Sequence, residues 1–439
     1  MFVLTDLRGV ATVFAEPQLL LLMVIGTVAG VIVGAIPGLT GAMLIALTLP
    51  LTFAMDGSQA MALLVSMYVG SVSGGLITAT LLRMPGTPAS IMTTLDGYPM
   101  AKSGQAGRAL GLGAGASLCG GLISWLFLFL LARPIAVWST RFGPFEFVGL
   151  VLLALVLIAG VGGSSLLKGL FAACLGVVLT IPGVSPANGE SRWTLGIAEL
   201  SDGFKLLPVL IGLFAVNQMI QSLLETTTAS ERFSASRKGM LEAWTDWRKH
   251  IVNLLRSSCL GTWVGVLPGV GANIGSVIAY SAARKASREP EKFGSGSEEG
   301  IVASESANNA TVGGALIPLI SMGIPGSVID TILLGALVIH GLQPGPLLFD
   351  QNPEAVYVII ATMLAANLIM FLFVWCSVGW IAKLASTSHA ILLPAIMVFC
   401  VVGSFALANR MFDVWVMLGF GVIGFTLERC KIPLAPLVI

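Results

Sequence analysis

The sequence predicts an all-α polytopic membrane protein built from two inverted-topology repeats with broken helices and re-entrant hairpins. Three observations predict it. Of 439 residues, 56% are hydrophobic and 10% charged, with a mean hydropathy of +0.93, more apolar surface than a soluble fold of this length can hide. Runs such as "FEFVGLVLLALVLIAGVGG" (145–163) and "AVYVIIATMLAANLIMFLFVW" (355–375) are long enough to cross a hydrocarbon core of roughly 30 Å as helices. The string Gly-x-x-x-Gly-x-x-Pro-Gly occurs in "GVIVGAIPGLTG" (30–41) and again in "GTWVGVLPGVGA" (261–272), each time inside an apolar stretch.

Apolar segments fall at 18–36, 38–54, 60–84, 107–132, 145–163, 166–183 and 205–224. After a charged stretch, a second series follows at 251–267, 269–283, 300–323, 324–342, 355–382, 390–409 and 412–427. The division is therefore 1–225 for the first membrane repeat, 226–250 for a connector, and 251–439 for the second repeat. Glu16 precedes the first apolar stretch, which lacks the short core and small-residue exit of a cleaved signal, so that segment is expected to stay in the membrane. Within the connector, Met240, Leu241, Trp244, Trp247, Ile251, Leu254 and Leu255 keep helical spacing. A helix lying along the cytoplasmic interface and a merely amphipathic linker both fit that pattern.

A second pair of breaks strengthens the repeat. "GGLITATLLRMPGTPAS" (74–90) holds Pro85 and Gly86, and "GGALIPLISMGIPGSVI" (313–329) holds Pro325 and Gly326 in the matching place. Basic residues in short loops mark the cytoplasmic side. The loop 54–59 has none, whereas its counterpart 281–299 carries Arg284, Lys285, Arg288 and Lys292. Beyond the second break the bias reverses, with Arg83, Lys102 and Arg108 in 83–109 and none in 341–354. Equivalent loops are thus expected on opposite sides, and Arg232, Arg237, Lys238, Arg248, Lys249 and Arg256 put the connector in the cytoplasm.

A Pro-Gly at bilayer depth leaves backbone groups unpaired, which is tolerated only where the chain is buried in protein or lines a wet cavity. Each break then presents a helix N-terminus that attracts anions, opposite carbonyl ends able to hold a cation. The candidate ligand-binding positions are Gly38, Thr40, Gly41, Gly86 and Thr87 from one repeat, and Gly269, Gly271, Asn273, Gly326 and Ser327 from the other. Asn308 and Asn309 in "ESANNATVGG" join them, one amide expected to face the ligand or cation and the other to tie its span to the break at Pro268–Gly271. Ser90, Thr93, Thr94 and Thr331 are further hydroxyls in the motif regions. For Asp330, just after the Pro325 break, a cation site shared with Asn308 and a plain favourable charge at a helix start are both open. Asp96 is expected to shape a polar turn in "LDGYP", Glu305 to cap or anchor its helix, and His340 to be hydrogen-bonded structure.

The strings "IPGLTGAMLIALTLPLTF" (36–53), "MPGTPASIMTTLDGYPMAKSGQAGRAL" (84–110), "LPGVGANI" (267–274) and "ESANNATVGGALIPLISMGIPGSVIDTILLGALVIHGLQPGP" (305–346) resemble the large membrane subunit of the tripartite tricarboxylate transporter family. The resemblance runs through nearly the whole chain. It implies a permease of the bacterial inner membrane that works with a small membrane subunit and a periplasmic solute-binding protein, and imports carboxylates such as citrate on an ion gradient. The coupling ion it implies is sodium, with protons an open alternative, and no other cofactor. By analogy with other inverted-repeat carriers, the large subunit is expected as a homodimer in the lipid bilayer. Members of the family usually continue for tens of residues past the point where this chain ends in "KIPLAPLVI", so the second repeat is expected to be cut short at its C-terminus.

Other function classes fare poorly. A net charge of +1 gives no basic field for nucleic acid, and six scattered cysteines make no metal or redox spacing. An enzyme is not expected, because the three histidines (His250, His340, His389) have no nucleophile elbow near them, and Asp96 and Asp330 stand at different offsets from their breaks. A passive anion channel is the surviving rival, since half-helices also build pores.

Overall fold

Proline lacks an N–H and biases the residue before it away from the helical region, so each Pro-Gly ends one helix and lets another begin. The computed structural model describes residues 2–36, 39–83, 87–143, 166–185, 190–194, 196–224, 237–245, 247–268, 271–384, 389–406 and 409–438, with Phe145, Glu146, Val148, Gly149 and Leu152 between them. After α1 (Phe2–Val13), α2 (Pro17–Gly34) stops before the first break and α3 (Gly41–Thr48) starts after it. Then α4 (Gly57–Leu82) runs to the second break, and α5 (Ile91–Met100) and α6 (Ala106–Ser139) follow, joined across a kink at Gly104 with φ 84°. Helices α7 (Leu166–Leu179) and α8 (Leu206–Leu224) complete the first half. The second half contains α9 (Arg237–Thr245), α10 (Trp247–Val266), α11 (Gly271–Ala286), α12 (Glu298–Met322), α13 (Val328–Ile339), α14 (Pro353–Leu384), α15 (His389–Ala406) and α16 (Met411–Arg429). Most of the expected span at 145–163 lies outside the described residues.

Among the described residues, six helical stretches are long and apolar enough to cross a membrane: Pro17–Gly34, Gly57–Leu82, Ile91–Ser139, Leu206–Leu224, Pro353–Ser377 and Met411–Arg429. The protein is a multi-pass, all-α membrane protein. Helix α12 stands outside that set because "ESANN" dilutes its hydropathy, yet it is buried on every side from Gly300 to Ser321. Helix α4 is its counterpart, buried from Ala60 to Leu81. A helix enclosed by others needs no apolar stripe, so its small and polar residues face neighbours in all directions.

The two enclosed helices share one register: Tyr68, Ser71, Gly74, Pro85, Thr87 and Ser90 correspond to Asn308, Thr311, Gly314, Pro325, Ser327 and Asp330. Both end on a left-handed residue before the break, Arg83 at φ 56° and Gly323 at φ 72°. Their packing also corresponds. Helix α2 lies on α4 and α10 on α12, with Gly34 against the Ser71 carbonyl and Gly265 against the Thr311 carbonyl. A side chain at either glycine would fall inside the carbonyl oxygen, so backbones this close exclude anything larger. Helix α6 from the first half packs on α12, and α14 from the second half packs on α4, so each half completes the other.

The described part of the connector is helical, in α9 and the start of α10, with position 246 between them outside the described residues. Met240 and Ala243 are fully buried, with α9 docked on α6 at Gly111, while Leu241, Ile251 and Leu255 face outward. Apolar burial against α6 therefore fixes this helix on the protein. Residues 226–236 of the connector lie outside the described set. Around the outside, α8 packs on α16, and α15 reaches Pro50 beyond α3 through Gly403.

Replacing Gly34 or Gly265 by valine should separate α2 from α4 or α10 from α12, at a cost of about 1–3 kcal/mol for overpacking. The melting midpoint of the purified protein should fall in both variants, and an unchanged midpoint would contradict the close contact.

Candidate functional site

The described ends of the four breaks gather around the place where α4 crosses α12. Two hydrogen bonds fix that crossing, and a third steadies Asn309 within α12. Ser73 donates to Asn309 Oδ1 at 2.7 Å, Asn308 Nδ2 donates to the Val72 carbonyl at 3.3 Å, and Asn309 Nδ2 donates to the Glu305 carbonyl at 3.4 Å. Among the described residues this amide pair is tied to α4, and positions 269 and 270 of the expected partner, the break at Pro268–Gly271, lie outside them. Neighbours on a helix diverge by about 100 degrees, so Asn309 meets α4 at Ser73 and Asn308 meets it at the Val72 carbonyl. Asn308 Oδ1 is buried without a partner.

Around the crossing, α3 begins with Thr40 accepting from the Met43 N–H at 3.2 Å, and Gly41 packs on Ser71 and Ile329. Helix α13 begins with Ser327, whose Oγ accepts from the Asp330 N–H at 3.3 Å and donates to Asp330 Oδ2 at 2.5 Å. Since the Ser327 proton goes to Asp330, the Tyr68 hydroxyl, 3.2 Å away, donates to Ser327. Gly271, at φ 64°, takes a conformation that a side chain would strain, and it abuts Ser327. Gly326 packs on Ala315 and on the Gly265 carbonyl. Before α5, the Thr87 N–H donates to Ser90 Oγ at 3.3 Å and Ser90 donates back to the Thr87 carbonyl at 2.8 Å, leaving Thr87 Oγ1 buried and unpartnered. Helix α11 spans the two halves of the site: Gly271 meets Ser327 at its start, and Ser276 donates to the Ala89 carbonyl at 2.9 Å.

The backbone therefore brings together Thr40, Gly41, Thr87, Gly271, Asn308, Asn309, Gly326 and Ser327, with Asp330 and Thr331, which donates to the Ser327 carbonyl at 3.0 Å. Gly38, Gly86 and Gly269 lie outside the described residues, and Asn273 is placed on the first turn of α11 by its backbone alone. Thr94 bonds the Ile91 carbonyl on an exposed face, away from the crossing. His340 is tied to Thr52 at 2.9 Å.

Two acidic residues hold structure in ways their local sequence does not announce. Asp96 does not shape a turn in "LDGYP": it lies inside α5 and is fully buried. Its Oδ1 accepts from the Gly294, Gly296 and Ser297 N–H groups at 2.8–3.0 Å, and Oδ2 from Tyr280 at 2.8 Å, so it clamps the loop that starts α12. Glu305 sits in the middle of α12, accepting from Thr93 at 2.5 Å and Ser117 at 3.2 Å, and thereby joins α5 and α6 to α12. Outside the crossing, Arg108 and His250 pair with Glu298 at 2.5 and 3.1 Å. Arg83 turns its guanidinium over the Tyr98 ring at 5.6 Å, and Lys168 bonds the Cys430 carbonyl at 2.5 Å. The polar contacts described at the crossing involve hydroxyls, amides and carboxylates and no Lys or Arg. Clefts open elsewhere, one lined by Met92, Tyr280, Ser281, Arg284, Lys285 and Pro290.

Tyr68, Ser71, Ser73 and Ser276 make contacts around the crossing that the sequence reading passed over. Tyr68 had a signal: sliding the Pro325 break onto the Pro85 break puts it in register with Asn308.

The profile of the tripartite tricarboxylate transporter TctA family matches residues 20–439. An uncharacterized 52.8 kDa protein from the TAR-I ttuC' 3' region of Agrobacterium vitis is 33% identical over 420 residues, covering 95% of this chain and 82% of that protein. A second uncharacterized protein, from the TAR-II ttuC' 3' region of the same organism, is 34% identical over 179 residues, covering 41% of this chain and 74% of its own length. No solved structure matches the chain.

If Ser73 and Asn309 hold the crossing together, Ser73→Ala and Asn309→Ala should each destabilise the protein by about 1 kcal/mol or more, because either leaves a buried polar atom unpaired. In a double-mutant cycle read by thermal melting, the two losses should be strongly non-additive. Simple additivity would show that the bond contributes nothing.

Proposed function

The chain belongs to the tripartite tricarboxylate transporter TctA family, and we propose that within it the protein is the permease subunit of a secondary active importer. It takes a di- or tricarboxylate such as citrate from a periplasmic solute-binding protein and carries it across the bacterial inner membrane by cation symport, with sodium as the coupling ion. A small membrane subunit completes the system, and the large subunit pairs as a homodimer.

The observation that carries this reading is the gathering of broken helix ends at one buried crossing that offers unpartnered polar atoms, Thr87 Oγ1, Asn308 Oδ1 and Asp330 Oδ1. Free N–H groups at helix starts suit the oxygens of a carboxylate. A polyanion desolvated without a fixed cation is unfavourable, so a site made of helix ends and neutral groups calls for a co-bound cation. Cation symport supplies one. The shared register of α4 and α12, the exchange of α6 and α14 between halves, and the opposite loop charges support inverted repeats. In the elevator-like motion we infer, the central helices with their breaks move against an outer frame of α7, α8, α15 and α16.

Uptake of citrate by proteoliposomes carrying the wild-type protein and its solute-binding protein should saturate and should collapse when the sodium gradient is dissipated. Asn308→Ala should cut that uptake at least tenfold at unchanged protein yield. Flux that rises linearly with concentration and survives loss of the gradient would favour the passive anion channel.

Topology is open to an independent measurement. In a cysteine-free background, Ala54→Cys and Ser295→Cys should react with an impermeant thiol reagent from opposite sides, Ser295→Cys from the cytoplasm. Labelling of both from one side would refute the inverted repeats.

A further inference from the structure

Four carboxylates are fully buried among the described residues: Asp96, Glu305, Asp330 and Asp413. Three have their charge met. Asp96 accepts three N–H groups and a phenol, Glu305 accepts two hydroxyls, and Asp413 pairs with Arg410 at 3.0 Å. Asp330 alone leaves an oxygen without a partner, Oδ1. Its other oxygen takes the Ser327 hydroxyl. A buried carboxylate with half of its acceptor capacity unused is strongly unfavourable, and inside a membrane protein such a group marks a functional site with a partner to be named.

A proton does not settle it. Placed on Oδ1, it becomes an O–H donor for which no acceptor stands in hydrogen-bonding geometry. A metal cation uses what is there, because it wants oxygen lone pairs. A neutral oxygen stands at the same helix start, the Tyr68 hydroxyl 3.2 Å from Ser327 Oγ. The start of α13 contributes a partial positive charge of about half a unit, which the full negative charge of Asp330 outweighs. No group of three or more His, Cys, Asp or Glu that could hold a metal occurs among the described residues, so one carboxylate with a neutral oxygen suits a monovalent ion. The other half of the molecule supplies a contrast. Ser90 occupies the corresponding register position, carries no charge and has its hydroxyl satisfied by Thr87.

We propose that the start of α13 holds a sodium ion on the free oxygen of Asp330, with the Tyr68 hydroxyl as a neutral ligand, which deepens the symport reading and rests on it. The test uses the full-length protein in detergent micelles, melted in sodium chloride or in choline chloride at equal ionic strength. Sodium should raise the wild-type midpoint saturably, as a ligand that binds only the folded state must. Asp330→Asn, which keeps the side chain's shape, should abolish the sodium response. Tyr68→Phe should shift the half-effective sodium concentration at least tenfold upward. Asp413→Asn, which removes a buried charge elsewhere, should lower the midpoint yet keep the sodium response. A wild-type protein indifferent to sodium, or an Asp330→Asn variant that responds like wild type, would overturn the site. Saturable wild-type uptake driven by a proton gradient without sodium would also overturn it while leaving the permease reading intact. Absence of all wild-type uptake with the sodium response lost in Asp330→Asn would instead keep the site and remove that reading.

Discussion

The structure depends on the crossing of α4 and α12, two helices that have no face toward lipid. In hydrocarbon there is no water to satisfy a stray amide or hydroxyl, so a polar group on these helices without a partner inside the protein is costly. Ser73 and Asn309 find each other at 2.7 Å across the crossing, and Glu305 and Asp96 bind α5, α6 and the loop before α12 to the same centre. Close backbone contacts of α2 on α4 and of α10 on α12 supply the dispersion energy that apolar burial cannot supply between helices in a bilayer. What remains unpaired at the crossing is therefore informative.

This constraint links packing to chemistry. Because α4 and α12 are held in fixed relation, the breaks that follow them present the starts of α5 and α13 to one region, and α11 bridges the two through Gly271 and Ser276. Equivalent register positions then carry different groups: Tyr68 against Asn308, Thr87 against Ser327, Ser90 against Asp330. One scaffold used twice thus yields a charged break and a neutral one.

Much of this was legible in the sequence, and the part that was not has a common cause. Helix positions followed from apolar runs, and the interruptions from Pro-Gly, because both are local properties of the chain. The helical state of "IMTTLDGYPM" was not legible, since Asp-Gly and Pro99 are turn residues by local preference. What overrides them is the capture of three N–H groups by Asp96 from a loop nearly two hundred positions away. The left-handed Arg83 likewise ends its helix where local preference favours glycine. In the connector, spacing alone described an amphipathic helix, but whether its apolar face meets lipid or protein depended on the small residues of α6, Gly107 and Gly111. At the site, the amides of α12 stood out as polar residues in an apolar span, whereas the Ser73 partner of Asn309 had nothing to distinguish it from other small helix-packing serines.

The central claim is that the four breaks form one ligand site at the α4–α12 crossing. An electron cryomicroscopy map of the protein in lipid nanodiscs, saturated with a carboxylate that it is shown to transport, tests that claim most directly. The account predicts ligand density between the starts of α5 and α13, within hydrogen-bonding reach of Thr87 and Asn308. Density confined to the cleft beside Arg284 and Lys285, with the crossing unoccupied, would contradict it.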